Sequence, residues 1–375
     1  MAISRRLFIA ASVCAPVSAA AATKSQAPAA RAAGVVLPRS GPFGLIGDEC
    51  LRGIQLAAND INAAGGIAGK PIILTPTDAP GQDSADTVVK QLIGTHPAFL
   101  LGSGVSAVAY PATAAAELAQ IPFIELNAAA DGIMGRGFKF LLRSCETTSM
   151  IANVATTAIA TRTHTQKLAV LFNTGATSGA IAAAATAALQ AQKIQPLLLI
   201  GYPETVADLH EPVGRMARAG VDVLLHAGGS DDVLLLFQAM QDTGWRPTTI
   251  FGCGNGYLER ETAYALGAAF NGVYAVGAPF YPPRAAYLEA AYLAQFGMAP
   301  RAADSLTAYV GAKLVFDILN QAGGDPAKLL DALRRTDIAT GTLANGFGVA
   351  FDKSGQNTRS FAILQQWNAQ GLAAV

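Results

Sequence analysis

The residues best suited to chemistry stand together in Gly102-Ser103-Gly104-Val105-Ser106-Ala107, between an apolar run and an alanine-rich helical stretch. As a pattern this is G-x-G-x-x-A, close to a dinucleotide fingerprint, and Glu125 lies about 20 residues on, where such a site keeps its ribose-binding acid. Context opposes that chemistry. The fingerprint belongs to the first strand-to-helix turn of its domain, whereas here the third strand carries it. The other chemistry open to this loop is anion binding. A helix N-terminus exposes unpaired N–H groups and the positive end of the dipole, and Ser103 and Ser106 add hydroxyl donors. Ser106 is equally suited to capping its own helix. Elsewhere His96, His164, His210 and His226 are scattered, and none has a metal-ligand spacing. His226 ends an apolar run, as a ligand contact or as a satisfied buried histidine. No G-x-S-x-G elbow or Cys-x-x-Cys pair occurs, so neither an enzyme nor a metal centre is expected, and no cofactor.

The elements that must position this loop begin at Gly34. Gly34 to Pro38 is a short apolar strand, stopped by turn residues Arg39-Ser40-Gly41-Pro42. From Gly47, Cys50, Ile54, Ala57, Ala58 and Ile61 form one face of a helix, with Glu49, Arg52, Gln55, Asn59 and Asn62 on the other. Gly65-Gly66 ends it and Ile72 to Leu74 returns as a strand, completing a parallel βαβ unit. Alternation continues to Arg143, breaks at Cys145-Glu146-Thr147-Thr148, then runs through a second cycle to Val276. Two successive runs predict an α/β fold of two doubly wound parallel-sheet lobes. Pro279-Phe280-Tyr281-Pro282-Pro283 marks a further boundary, followed by three helical stretches. Gly348 to Phe351 and Ser360 to Trp367, around a turn at Asp352 to Gln356, read as a closing hairpin.

Composition limits the function classes. Among 375 residues, 26 Lys and Arg balance 26 Asp and Glu, with no basic cluster, so no nucleic acid is expected as a partner. Charged residues make up 14% and apolar ones 51%, which suits a globular chain. Residues 1–20 read as an export signal. Arg5-Arg6 precede the apolar run Leu7 to Val17, and small residues Ser18-Ala19-Ala20 offer a cleavage site. The arginine pair with Phe8 resembles a twin-arginine leader, and an ordinary secretory signal that holds two arginines fits as well. Residues 21–33 are a small-residue tether, and no later run approaches the roughly 20 apolar residues needed to span a bilayer. Cys50, Cys145 and Cys253 would remain after cleavage, an odd number in a disulfide-permissive compartment.

The stretch SGPFGLIGDECLRGIQLAANDINAAGGIAGKPI resembles the opening of the type I periplasmic solute-binding proteins of ABC transporters, in the branched-chain amino-acid family. It carries S-G-P, a glycine, then G-x-x-L-A-x-x-x-I-N-x-x-G-G-I-x-G-K. The resemblance runs from about Gly34 to the C-terminus. It implies two lobes joined by a three-segment hinge, with residues 34–145 and 279–355 in the first and 146–278 and 356–375 in the second. It implies a periplasmic receptor that closes over a small organic acid or amino acid and delivers it to membrane permease and ATPase subunits. The loop at Ser103, Ser106 and Ala107 would hold the ligand's carboxylate, with Asn127 and Ala129 adding contacts. Phe43 and Ile46 would present apolar surface. Some relatives bridge two cysteines where this chain has Pro80 and Val105, so that bridge is absent.

In the second lobe the resemblance thins. Ser178 stands where the family often has a tyrosine. Asn255 is the nearest polar side chain where relatives that bind amino acids carry an acid for the ammonium. Ser230 and Asp231 lie on a neighbouring loop, where an aspartate more often caps its helix. A buried ammonium without a partner is costly, so the expected ligand has a carboxylate and need not carry an α-amino group. Asp231, Glu125 or ordered water are the remaining ammonium partners. A cofactor-bound periplasmic oxidoreductase and a sensory protein of the same fold are the alternatives.

Overall fold

The computed structural model describes residues 32–163 and 167–375. The export signal, nearly all of the tether and His164 lie outside the described residues. One sheet comprises β1 (Ala32–Leu37), β2 (Ile73–Asp78), β3 (Phe99–Gly102), β4 (Phe123–Glu125) and β5 (Leu141–Arg143). Its order is β2-β1-β3-β4-β5, with parallel pairing throughout. Pairing starts at Ala32 with Ile73, so the first strand takes in the last two residues of the expected tether. Helices α1 (Gly44–Ala63), α2 (Gln82–Ile93) and α3 (Ser106–Leu118) make the crossovers. A parallel sheet covered on both faces needs strands that are apolar throughout. The inner strands β1 and β3 meet that demand and are almost wholly buried. Edge strand β2 does not, and it tolerates Pro76 because a proline leaves one ladder donor missing only on its open side.

The second body holds α4 (Thr148–Arg162), β6 (Leu168–Asn173), α5 (Ala176–Ala191), β7 (Leu198–Tyr202), α6 (His210–Ala219) and β8 (Val223–Ala227). It continues through α7 (Ser230–Thr243), β9 (Thr249–Cys253), α8 (Arg260–Leu266) and β10 (Tyr274–Gly277). The chain then returns to the first body with α9 (Ala286–Phe296), α10 (Asp304–Gln321), α11 (Leu329–Arg334) and the ribbon of β11 (Asp337–Ile338) with β12 (Val349–Ala350). It ends in the second body with β13 (Ile363–Asn368) and β14 (Gly371–Ala374), giving the order β14-β13-β10-β9-β8-β6-β7.

The expected closing hairpin is corrected here. The turn at Asp352 exists, closed by Ser354 and Gln356 N–H groups donating to its carboxylate. Beyond it the strands part: β12 pairs with β11, while β13 pairs with β10 and β14. Side-chain polarity decides the choice. Buried Gln365 donates to the Ala278 carbonyl, and Trp367 Nε1 to the Tyr257 carbonyl, both available only in the second body.

Glu49 also departs from its expected solvent face. It is buried, accepting from Arg301 Nε at 2.9 Å and from the Arg301 N–H at 3.0 Å, so α1 is covered on that side by the segment leading into α10. The close approach depends on Gly53, where an added Cβ would sit 2.0 Å from the Ser305 carbonyl oxygen. This contact fixes the start of α10, and with it Asp304.

Three strands of chain pass between the bodies, and hydrogen bonds tie them together. Buried Arg143 at the end of β5 donates to Gln356 Oε1 and to the carbonyls of Ala128 and Ala130. Gln356 Nε2 donates to the Cys145 carbonyl, and Asn357 Nδ2 to that of Ser144. The third passage, at Ala278, is held through Gln365.

Candidate functional site

Each sheet reverses its strand order once: between β1 and β3 in the first, between β6 and β8 in the second. Loops leaving the carboxyl ends of strands at such a reversal diverge and leave a crevice. The two crevices face each other and enclose a cavity of about 380 Å³. Pro42 and Phe43 line it from the loop after β1 and Ile46 from the first turn of α1, Val105 from the loop after β3 and Ala107 from the first turn of α3. The second body contributes Asn173, Gly175 to Ser178, Gly228 to Asp232, and Gly254 with Asn255. Gly254 holds the latter loop against its neighbour. Its φ is +94°, and a Cβ would lie 2.7 Å from the Gly228 carbonyl oxygen.

The first turns of α3, α5 and α7 thus converge on one space. The N-cap positions of α3 and α5, Val105 and Gly175, supply no side-chain cap. Their first-turn N–H groups, which have no intrahelical partner, face the cavity. The N-cap N–H groups of α5 and α7 are themselves bonded, Gly175 donating to Asn173 Oδ1 at 2.9 Å and Gly229 to Asp232 at 2.7 Å.

Most of the expected site residues meet here. Phe43, Ile46, Ala107, Ser178, Ser230 and Asn255 line the cavity. Asn127 and Ala129 line a smaller chamber of about 40 Å³ that shares Val105, Thr177, Gly254 and Asn255 with it. Ser106 lies between the bodies. Its Oγ accepts from Thr177 Oγ1 of the second body at 2.9 Å and from the Ala130 N–H at 3.2 Å. Ser106 is the first residue of α3, one past the N-cap, and does not cap it.

Ser103 is a correction. Its hydroxyl and N–H both donate to the buried carboxylate of Glu125. The N–H groups of Leu126, Asn127 and Ala128 donate to the same carboxylate at 2.9–3.1 Å. The anion-binding loop therefore already holds an anion from its own chain, and Ser103 is not a donor for a ligand. The same bonds place Glu125 where neither a ribose nor an ammonium reaches it, and they occupy donors a pyrophosphate would need.

The expectation that no acid stands near Asn255 is corrected as well, while Asp231, kept as a remaining partner, does line the cavity. Glu204, Asp231, Asp232 and Glu259 all line the cavity. Glu259 stands four residues beyond Asn255 and is nearly fully buried, accepting from the Ser230 hydroxyl. Burial pushes its carboxyl up to about 8; Ser230 pulls down, Asp304 and Glu261 push up, and Arg301 pulls down. The chamber adds Glu146, Asp304 and Thr307, which reasoning from spacing alone missed. Burial pushes Glu146 up to about 7, against the pull of its own N–H, Arg143 and the Ala278 N–H. Burial also pushes Asp304 up to about 7, with Glu146 and Glu49 adding to it and Asn127 opposing. The signals available beforehand were the break in pattern at Glu146 and the short distance from Asn255 to Glu259.

His226 is structural. Tyr202 and Tyr257 hydroxyls sit 2.7 and 2.6 Å from its two ring nitrogens, and burial lowers its pKa to about 3. Cys50, Cys145 and Cys253 are free and buried, with burial raising each thiol pKa. No helix of the described residues is long and apolar enough to cross a membrane.

Two facing α/β bodies with ligand-sized space at both strand-order reversals define a bilobal binding protein. The profile of the periplasmic binding protein family matches residues 32–371, and the chain belongs to that family. It is 31% identical over 360 residues to the Leu/Ile/Val-binding protein homolog 8 of Brucella abortus (strain 2308), covering 91% of this chain and 89% of that one. Its fold is similar to the branched-chain amino acid transporter substrate binding protein LivJ of Streptococcus pneumoniae, solved with isoleucine. The TM-score is 0.80 at 20% identity, over 92% of this chain and 99% of that one. A solute binding protein of an ABC transporter from R. palustris, solved with benzoate, gives a TM-score of 0.79 at 18% identity, over 92% and 95% of the chains.

Proposed function

We propose that this protein is the extracytoplasmic receptor of an ABC importer, capturing a small carboxylate-bearing solute between its lobes by hinge closure. The observation that carries the reading is the convergence of the uncapped α3 and α5 N-termini on one cavity, one from each lobe. A carboxylate placed between them meets free N–H groups and two positive dipole ends. Phe43, Ile46 and Pro42 offer the solute an apolar wall. The relatives' names and bound ligands, branched-chain amino acids and benzoate, support the same class of acid. Delivery to permease and ATPase subunits, and export through the signal of residues 1–20 by the twin-arginine or the general route, complete the proposal.

A thermal-shift screen over amino acids, aliphatic acids and aromatic acids tests it, since a ligand of the folded state raises its apparent stability. Solution scattering with the best hit at saturation should show a smaller radius of gyration. No hit in the panel removes the receptor reading, and a hit with unchanged scattering removes closure.

A further inference from the structure

We propose that Arg260 and Arg301 form a fourth, non-covalent link between the lobes, a clasp on which the lobes turn as the cleft closes. The proposal rests on the closure reading above and names the axis of that motion.

The clasp is built from two short segments, each leading into a helix of its own body. Glu259-Arg260-Glu261 opens α8 in the second body, and Pro300-Arg301-Ala302 leads to α10 in the first. They run antiparallel, with Glu259 bridged to Ala302 and the Arg260 N–H donating to the Arg301 carbonyl at 2.8 Å. As the first residue of α8, Arg260 has no intrahelical acceptor for that N–H, and Arg301 supplies one. The side chains repeat the exchange with opposite charges. Arg260 Nη2 donates to Glu289 Oε1 of α9 at 2.9 Å, and Arg301 Nε lies 3.6 Å from Glu261 Oε1. Arg260 Nη1 also donates to the Pro300 carbonyl at 2.9 Å.

Both arginines are held in place. Arg301 is fixed in its own body by Asp48 and the buried Glu49 of α1. The Arg260 guanidinium lies 4.7 Å from the ring centre of Phe280, and the Phe280 N–H donates to Gln365 in the third passage between the bodies. Atoms beside an axis of rotation move least, so contacts there survive an opening that separates the far side. The clasp abuts a covalent passage, whereas the bond from Thr177 to Ser106 spans the cleft itself. The strengths match those places. Charge-assisted bonds, a backbone bond and a stacked cation would be costly to break at every capture, and one bond between hydroxyls is not. Glu259, next to Arg260, lines the cavity, so the clasp also holds part of the cleft wall near the axis.

Amide hydrogen exchange on the purified protein, dialysed free of solute, reads the clasp directly, because the Arg260 N–H bonds across the two bodies. In the wild type it should exchange about a thousandfold or more slowly than a free amide, with or without added leucine or benzoate. Arg260→Gln and Glu289→Gln should each speed that amide about 10- to 100-fold, while the amides of β3 and β9 keep their rates. Arg260→Lys, which keeps the charge and loses the fork, should fall between. The Gln variants should also enlarge the radius of gyration in solution scattering without solute. Glu289→Gln, at a part-exposed side chain, serves if the Arg260 variants do not fold. Fast exchange at Arg260 that slows only when leucine or benzoate is added would make the contact a latch that opens with the cleft, and overturn the pivot. Fast exchange under both conditions, or rates and scattering indifferent to the variants, would overturn it too. A slow Arg260 amide with scattering that no acid changes would remove closure, and the pivot with it. Fast exchange beside a compaction on adding an acid would remove the pivot alone.

Discussion

Glu125 and Glu146 are both buried carboxyls beside the same cleft, about 20 residues apart in the chain, and they live in opposite surroundings. Glu125 is saturated: the Ser103 hydroxyl and four backbone N–H groups donate to it. Glu146 has an oxygen with no donor at all, and burial pushes its pKa up to about 7. A carboxylate that accepts N–H bonds on both oxygens is built into its loop and shapes it, whereas one with an unpaired oxygen has capacity to accept a further donor. The first lobe thus uses one acid as scaffold. The passage between the lobes leaves one oxygen of another, Glu146, unpaired, while Asp304 and Glu259 accept from Asn127 and Ser230.

The comparison breaks most decisively at Glu125. Glu125→Ala strands five donors in a buried loop, and losing one partner of a buried charged network typically costs roughly 3–5 kcal/mol. Urea unfolding should show a loss of that order, or the variant should not fold. Glu146→Gln, by contrast, should leave apo stability near neutral pH unchanged or raised. A loss below about 1 kcal/mol for Glu125→Ala would mean that the loop stands without its internal anion.

That contrast also marks what the sequence let one see. Most strands and helices were legible because the inner parallel strands are apolar along their length, whereas edge strand β2, partly exposed, was read only over its first residues. The G-x-G-x-x-A loop and Glu125 were both visible, and a spacing of about 20 residues suggested a shared ligand. They were partners of each other, which periodicity cannot reveal. Glu146, Glu259 and the Asp304–Thr307 turn of α10 come from three separate stretches and meet only through tertiary packing, as when Gly53 lets α10 press against α1. The closing strand Ile363–Asn368 failed for a related reason. It had two possible antiparallel partners, and only the buried Gln365 and Trp367 contacts choose between them.

The pH dependence sharpens the comparison at a smaller scale. Glu259 sits at about 8, and Glu146 and Asp304 at about 7, all above the ordinary carboxylate range. In the folded apo protein these groups keep protons that the unfolded chain has already released. Their contribution is complete below about pH 4 and is lost as pH rises through 7 to 8, at up to about 1.4 kcal/mol per pH unit for each group. His226 works the other way, since its value near 3 withdraws stability as pH falls below about 6.5. Arg143, Glu49, Glu261 and Arg301 are the charged neighbours that modulate the three carboxyls. The apo protein should therefore melt higher at pH 5.5 than at pH 8. The Glu146→Gln, Asp304→Asn double variant should flatten that slope. A slope unchanged by the double variant would show that neither carboxyl holds its proton in the fold.

The smallest effects belong to the neutral contact between the lobes. Thr177 Oγ1 donates to Ser106 Oγ across the cleft, and Ser106 Oγ also accepts from the Ala130 N–H within its own lobe. The two hydroxyls are therefore not equivalent. Thr177→Val removes only the bond between lobes, worth roughly 0.5–1.5 kcal/mol. It should weaken ligand affinity about 2- to 10-fold and leave apo unfolding unchanged, because that bond exists only where the lobes meet. Ser106→Ala removes the same bond and also strands a buried N–H, so it should lower apo stability by a further 1–3 kcal/mol or so. Calorimetry and urea unfolding on both variants separate the cases. Equal apo stability for the two would mean that Ala130 finds another acceptor. A loss of apo stability in Thr177→Val as large as in Ser106→Ala would mean that the lobes stay joined through this bond without any ligand.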